Sequence, residues 1–501
     1  MCGSRPVRPP VRATHGARMD ILFAASEIAP IVKVGGLADV VSSLSKALRL
    51  LGHKVTIALP RYRALDSSGL MMARRLTPMP LEVDPQIAPG PIPVTLFDGR
   101  LSTGVELVVL DVPGFHDRSG IYGEDGRDYE DNARRFSLFS RAVVELVRQR
   151  ARSGSPFDIV HAHDWPTAMV AYLLRHQQSV PGRTVLTLHN VAHQGLFPKE
   201  TLPYLGLDDD HFRPDRLEFY SQLNFLKGGI LAADALTTVS TTYANEILTP
   251  KQGERLDGVL RTRASQLTGI VNGIDYAVWN PMTDPAIIAR YDAEDVSNKG
   301  RCKSALLQEI GLEIRPDRPL LVSIGRVVAQ KGSDLLASAM PKILKGDVSV
   351  VVAGEGDPEL MAKLTAAAAK APERAKFLGG VSEAVVHRLM AAADLVVVPS
   401  RFEPCGLVQL YAQRYGAAPI ACRTGGLVDT IVDLDAALET GTGFLFDKPT
   451  ATSLLGGVQR ALGALTSPRW PAVQRRIMRL DLGWDRPARR YVQVYRQTLA
   501  S

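Results

Sequence analysis

The chain has 501 residues, too many for one hydrophobic core and suited to two or three domains. Hydrophobic residues make up 46% and charged ones 22%, which excludes a disordered chain, and no apolar run approaches the roughly 18 residues of a membrane helix. Net charge is +7, but Arg5, Arg8, Arg12 and Arg18 precede the first acid, Asp20, so the remainder carries only about +3.

Residues 1–18 contain Pro6, Pro9 and Pro10 and lead into no signal-type apolar stretch, so they read as a disordered basic extension. No other basic run interleaved with aromatics supports nucleic-acid binding, and nothing supports a membrane partner. Cys2, Cys302, Cys405 and Cys422 are scattered without a Cys-x-x-Cys pair, which excludes a disulfide scaffold or zinc ribbon and suits a reducing, cytoplasmic setting.

From Met19 the chain alternates short β-rich runs with helical periodicity. Strands are expected at Ile21–Ala25, Lys54–Leu59, Val105–Leu110, Ile159–His161, Thr184–Leu188 and Ala235–Val239, with a helix at Ala38–Leu50 and hairpins or loops over 62–104. The pattern restarts after Gly258, with strands at Leu267–Val271, Leu320–Ile324, Val348–Ala353 and Leu395–Pro399 and helices at Lys331–Leu344 and Pro358–Ala371. Such alternation implies parallel sheets covered by helices on both faces. The fold class is therefore α/β, two doubly wound Rossmann-like domains: 19–260, then 261–483.

One string occurs in each half. Lys33-Val-Gly-Gly-Leu-Ala-Asp-Val40 recurs as Arg423-Thr-Gly-Gly-Leu-Val-Asp-Thr430. A diglycine opening a helix exposes backbone N–H groups at the positive end of the dipole, and the preceding cation adds charge, which is how an anion is held. The alternative is that the glycines allow tight strand-to-helix packing.

Four further constellations stand at expected strand ends. Arg326 and Lys331 in Ser323-Ile-Gly-Arg-Val-Val-Ala-Gln-Lys-Gly332 are placed to converge on one anion, where ligands bind in such sheets. In Pro399-Ser-Arg-Phe-Glu-Pro-Cys-Gly-Leu407, Glu403 precedes an expected helix start, with Pro404 in its first turn and Gly406 just inside. His161-Ala-His-Asp-Trp165 and Leu188-His-Asn190 suit sugar recognition, carboxylate to hydroxyls and indole to the ring face. A metal held by His161, His163 and Asp164 lacks further ligands at suitable spacing. Asp208-Asp-Asp210 matches the D-x-D string of metal-dependent sugar transferases but reads as capping and solvated charge. Val271-Asn-Gly-Ile-Asp275 and Gly354-Glu-Gly-Asp357 are weak loop signals. No G-x-G-x-x-G or Walker loop opens either half, which removes support for dinucleotide redox chemistry and ATP hydrolysis.

In order and spacing, these segments together with Trp279-Asn-Pro resemble the glycogen/starch synthase family of retaining two-domain (GT-B) glycosyltransferases, from about Met19 to the C-terminus. The resemblance implies a central cleft, residues 484–501 crossing back as a helix onto the first domain, and transfer of glucose from ADP-glucose to the non-reducing 4-OH of an α-1,4-glucan such as glycogen. It implies no cofactor and no metal. By position, Lys33, Gly35, Gly36 and Asp39 are expected at the donor diphosphate and glucose, with Thr424 and Gly425 from the second copy of the repeat. Arg326 and Lys331 are expected to neutralise leaving ADP. Asp164, His189, Asn272 and Glu403 are expected to hold glucose hydroxyls, with the His189 carbonyl near the developing oxocarbenium ion. A helix starting at Cys405-Gly406-Leu407 is expected to point N–H groups at sugar and phosphate. Three positions depart from the family pattern: Val34 stands for Thr, Tyr411 for the second Glu of the wider superfamily, and Val381 for a Tyr that stacks on adenine. A UDP-sugar or sucrose synthase-like transferase and an inactive glucan-binding paralogue are the competing readings. The Lys-x-Gly-Gly-Leu and Phe-Glu-Pro-Cys-Gly-Leu strings oppose the first, and the presence of Lys33, Arg326, Lys331 and Glu403 opposes the second.

Overall fold

The computed structural model describes residues 18–124, 126–177 and 180–501, so the expected extension lies, Arg18 apart, outside the described residues. The chain forms two compact units. The first runs to Val239 and adds Ala244–Ile270 and Trp484–Ser501; the second comprises Ser240–Tyr243 and Val271–Gly483.

In the first unit seven parallel strands lie in the spatial order Leu267–Gly269, Ala235–Thr238, Arg183–Leu188, Ile159–His163, Asp20–Ala24, Lys54–Pro60, Glu106–Asp111. Ile92–Arg100 and then Met72–Arg74 extend that edge antiparallel, and Met79–Leu81 pairs on Ile92–Arg100, which accounts for the hairpin character of 62–104. Ile21, Leu22, Phe23 and Ala24 are wholly buried. A parallel sheet covered on both faces requires apolar residues at consecutive positions, hence these unalternating runs.

The second unit has six parallel strands in the order Ala375–Leu378, Ser349–Ala353, Leu320–Ile324, Leu395–Val398, Ala418–Cys422, Phe444–Phe446. Numbered along the chain this is 3-2-1-4-5-6, and the first unit's parallel strands follow the same scheme with one strand more. Crossovers therefore run in opposite directions from the first strand and the fourth. In each sheet the crevice where ligands bind falls at their carboxyl ends: Ala24 and His163 in one unit, Ile324 and Val398 in the other.

One boundary differs from the sequence reading, and the crossing helix stands where the resemblance implies. Leu267–Gly269, expected to open the second domain, pairs in parallel with Ala235–Thr238 and completes the first sheet, so the units part after Ile270 rather than after residue 260. Helix Asp485–Ala500 belongs to the first unit, where it packs against Gly36–Leu50. It is anchored by Tyr495, wholly buried, whose hydroxyl bonds His161 Nδ1 at 2.7 Å. His161 Nε2 bonds Thr187 Oγ1 at 2.6 Å, and Thr187 bonds Thr237 at 2.6 Å, so one polar chain ties the last helix to three strands.

Tyr495→Phe leaves His161 Nδ1 buried without its partner. The expected loss is about 1–3 kcal/mol in urea unfolding of the whole chain, and an unchanged midpoint would mean the helix is held by its apolar face alone.

Candidate active site

At the first unit's crevice, the strand Asp20–Ala24 runs into Ala25-Ser26-Glu27. Glu27 is 3% exposed and carries the loop that follows. One carboxylate oxygen accepts from Val34 N–H (2.8 Å) and Gly35 N–H (3.1 Å), and the other from the Tyr122 hydroxyl (2.7 Å). Burial pushes its pKa up against the pull of those donors. Sequence reading passed over Glu27, because a lone acid after a strand has no spacing signature. Its presence changes the diglycine account. Gly35 does stand at the cap of helix Gly36–Leu50, but the Val34 and Gly35 amides already face a carboxylate. Lys33 Nζ bonds Asp39 Oδ1 at 2.8 Å, so the cation of the string is paired with the acid of the same string. The Val34 side chain is 59% exposed; this residue serves the loop through its backbone.

The neighbouring strand Ile159–His163 ends in Asp164, a non-glycine residue at φ 55° and 8% exposed. Its Oδ1 accepts from the His189 amide (2.7 Å) and, at 3.4 Å, from that of Asn190, so it holds the next strand's exit loop in place. Burial raises its pKa to about 8 despite these donors, which leaves the carboxyl largely protonated at neutral pH. His189 is 9% exposed and its ring meets His163 Nδ1 at 3.0 Å. Burial lowers the His189 pKa to about 3 and carries His161 and His163 well below the usual histidine range, so all three rings are neutral. The Asp-Trp pair, expected to meet a sugar, is not exposed. Trp165 is half-buried, packed edge-on against Phe136 at 4.8 Å and Phe197 at 5.6 Å, because Gly195 lets its loop close over the indole.

At the second unit's crevice, Arg326, Lys331, Glu403, Gly406 and Leu407 line one cavity with Ser323 and Ser400. Lys331 Nζ donates to both oxygens of Glu403, at 2.8 and 2.6 Å, and Ser400 Oγ donates to Oε2 at 2.9 Å. Glu403 is 6% exposed, so Lys331 is the counter-charge of a buried carboxylate rather than a solvated loop cation. Arg326 is exposed and has no ion-pair partner among the described residues. Gly332 (φ +72°) makes the loop geometry possible: a side chain there would meet the Pro399 carbonyl at 2.1 Å, so the two strand exits lie backbone against backbone.

The helix expected at Cys405 begins instead at Val408, with Leu407 as its cap. Pro404 and Gly406 belong to the preceding loop; Gly406 stands at φ +75°, outside helical geometry. Gln409, wholly buried, folds back and donates to the Cys405 and Gly406 carbonyls at 3.0 Å each, fixing the loop. Burial raises the pKa of the Cys405 thiol to about 12 against the opposing pull of Asn272, which makes it an inert thiol. Thr424 stands at the N-cap position of helix Gly425–Thr430 without a side-chain capping bond, and the second diglycine is a packing device in its second residue. The Gly426 amide donates to the Glu403 and Pro404 carbonyls, and a side chain there would meet Cys405 within 2.6 Å. The cation of this copy, Arg423, pairs with Asp447 at 3.0 Å.

The weaker motifs resolve in structural terms. Asp208 accepts from the Asp210 amide, while Asp209 pairs with Lys199 and Asp210 with Arg213 and Arg216, as capping and solvated charge. Gly354-Glu-Gly-Asp357 packs on the Arg326 loop through Val327 and caps the next helix through Asp357. Tyr411, where the wider superfamily places a glutamate, stacks on Trp279 at 3.7 Å, with His387 on the other face at 4.0 Å. Among the described residues no three His, Cys, Asp or Glu side chains group as metal ligands, and no helix is long and apolar enough to cross a membrane.

Two crevices of this kind, one lined by a cationic loop and a buried glutamate, meet their relatives in the comparisons. Residues 20–262 match the starch synthase catalytic domain, and 308–464 match glycosyl transferases group 1. A glycogen synthase of Anaeromyxobacter sp. (strain Fw109-5) is 45% identical over 96% of this chain and all of its own length. The chain belongs to the glycogen/starch synthase family. Another member, from Anaeromyxobacter dehalogenans (strain 2CP-1 / ATCC BAA-258), is 43% identical over 96% of this chain and 99% of its own. The catalytic domain of starch synthase IV from Arabidopsis thaliana, solved with ADP and acarbose, superposes with a TM-score of 0.89 at 33% identity, covering 97% of this chain and all of the other. The fold is accordingly GT-B, two α/β units, and the chain is a glucosyltransferase.

The Lys331–Glu403 pair is open to direct test. Lys331→Met strands a buried carboxylate with Ser400 as its remaining side-chain donor, an expected loss of about 1–3 kcal/mol in denaturant unfolding. Glu403→Gln on that background is expected to restore most of it. Additive losses in the double variant would contradict a direct pair.

Proposed function

We propose that the chain transfers glucose from ADP-glucose to the non-reducing 4-OH of an α-1,4-glucan, with retention at the anomeric carbon and without a metal or cofactor, in the cytoplasm. The observation that carries this is the placing of Arg326 and the Lys331–Glu403 pair around one crevice at the second unit's switch point. The starch synthase solved with ADP supports the choice of nucleotide.

The hard step breaks the bond between the anomeric carbon and a phosphate oxygen. Positive charge develops on the sugar and negative charge on departing ADP, so groups that meet that charge in place lower the barrier. Arg326, without a carboxylate partner among the described residues, takes the diphosphate with its fork. Lys331 has three donors: Glu403 fixes the direction of two, and the third is turned to the phosphate as its charge grows. Glu403 thereby sets where Nζ stands and uses its remaining acceptor capacity on glucose hydroxyls. ADP is a good leaving group and needs no proton from an acid of the protein, so no second acid is required. An acceptor hydroxyl attacking from the face that ADP leaves, its proton passing to the departing phosphate, retains configuration. Asp164 with the neutral His189, and the Asn272 side chain, hold hydroxyls without adding charge that would favour ADP over the transition state.

Two measurements test this. With glycogen as acceptor, turnover is expected with ADP-glucose well above UDP-glucose and undiminished by excess EDTA. Loss in EDTA with rescue by Mn²⁺ or Mg²⁺ would bring His161, His163 or Asp208-Asp-Asp210 back as ligands. Lys331→Gln keeps a hydrogen bond to Glu403 but loses the charge; kcat is expected to fall roughly 10²–10³-fold with a smaller change in KM. A variant retaining more than about a third of kcat would remove Lys331 from the phosphate.

A further inference from the structure

Six non-glycine residues among those described stand at positive φ, and four of them form two adjacent pairs: Tyr220 and Ser221 (49° and 66°), Glu254 and Arg255 (49° and 68°). Tyr220-Ser221 is the two-residue turn of a hairpin in which Phe219 pairs with Gln222. Such turns need positive φ at both central positions, which is why Asn-Gly dominates them; a tyrosine and a serine sit there under strain. Glu254-Arg255 is the centre of a second turn, closed by the Leu256 amide donating to the Gly253 carbonyl at 2.7 Å. The two turns meet. The Arg255 guanidinium lies 5.2 Å from the centre of the Tyr220 ring.

Both turns are tied to the loop that leaves His189. Gln194 donates to the Glu254 carbonyl at 2.8 Å and accepts from Asn224 Nδ2, wholly buried, at 2.6 Å. The hairpin's third strand, Leu196–Phe197, continues from that loop and packs on Trp165, the residue after Asp164. All this rigid backing presents a tyrosine that is 66% exposed and an arginine that is exposed. Strained turns persist where the surroundings over-determine them, and here what is held out is a flat ring with a five-donor fork over it.

A pyranose offers a matching surface, an apolar C–H face with a rim of hydroxyls. The tyrosine ring offers the C–H face an apolar surface, and the guanidinium, lying over that same ring, offers donors to the hydroxyls. We infer that Tyr220 and Arg255 form an outlying subsite for the acceptor, holding glucosyl units several positions behind the end being extended. This rests on a glucan being the acceptor.

The test is the ratio of kcat/KM for maltoheptaose to that for maltose at saturating ADP-glucose. Tyr220→Asn removes the ring and relaxes the turn, since Asn accepts the left-handed region, so it is expected to melt above the wild type. It should lower the ratio about tenfold, while Tyr220→Trp keeps it within about twofold. An unchanged ratio in Tyr220→Asn, or an equal fall in Tyr220→Trp, overturns the subsite. Calorimetric titration of maltoheptaose into the donor-free protein separates the two layers. Binding about tenfold weaker in Tyr220→Asn supports the subsite even if the wild type transfers no glucose from ADP-glucose, an outcome that would defeat the proposed reaction instead. Equal binding by the two proteins overturns the subsite.

Discussion

Parallel strand order governs this molecule. Each sheet is buried on both faces, so a ligand is met at strand ends, and the divergence of crossovers selects one pair of ends in each unit. In the second unit those ends belong to Leu320–Ile324 and Leu395–Val398, whose exit loops carry Lys331 and Glu403 to within 2.6 Å of each other. In the first, the ends of Asp20–Ala24 and Ile159–His163 carry Glu27 and Asp164.

The two crevices differ in charge, and the difference has a physical source. The first is deeply buried: His161, His163 and His189 are neutral and Asp164 is held largely protonated, so it offers hydrogen bonds with little net charge. That suits hydroxyls. The second offers an arginine without an ion-pair partner among the described residues and a lysine on a buried carboxylate, which suits a diphosphate. Carboxylates also engage Lys33 and Arg423, at 2.8 and 3.0 Å. A cation already directed by an acid is pre-oriented, and the entropy of ordering its long side chain is spent on folding rather than on binding.

Much of this was legible in the amino-acid sequence. Unbroken apolar runs such as Leu395–Val398 announce doubly covered parallel strands, and Arg326, Lys331 and Glu403 each follow one. What failed did so for identifiable reasons. Leu267–Gly269 looked like a new beginning because a strand does not disclose its neighbours. The second diglycine reads as either an anion site or a packing turn, because the close approach of Gly426 to Cys405 leaves the same glycine in the sequence as an exposed amide does. The Lys331–Glu403 pair spans 72 positions, and Glu27 and Gln409 act through backbone groups that no side-chain pattern reveals. The helix start was misplaced at Cys405 because Pro-x-Gly is compatible with a helix opening, while Gly406 in fact takes positive φ and delays it.

The central claim is that the second unit's crevice is built for a diphosphate, and the most direct measurement is calorimetric binding of ADP and of adenosine to the wild type and to Arg326→Ala. The account predicts that ADP binds at least about tenfold more weakly to the variant while adenosine affinity stays the same, because the guanidinium faces phosphate and not the nucleoside. An equal change for both ligands, or none for either, would contradict it.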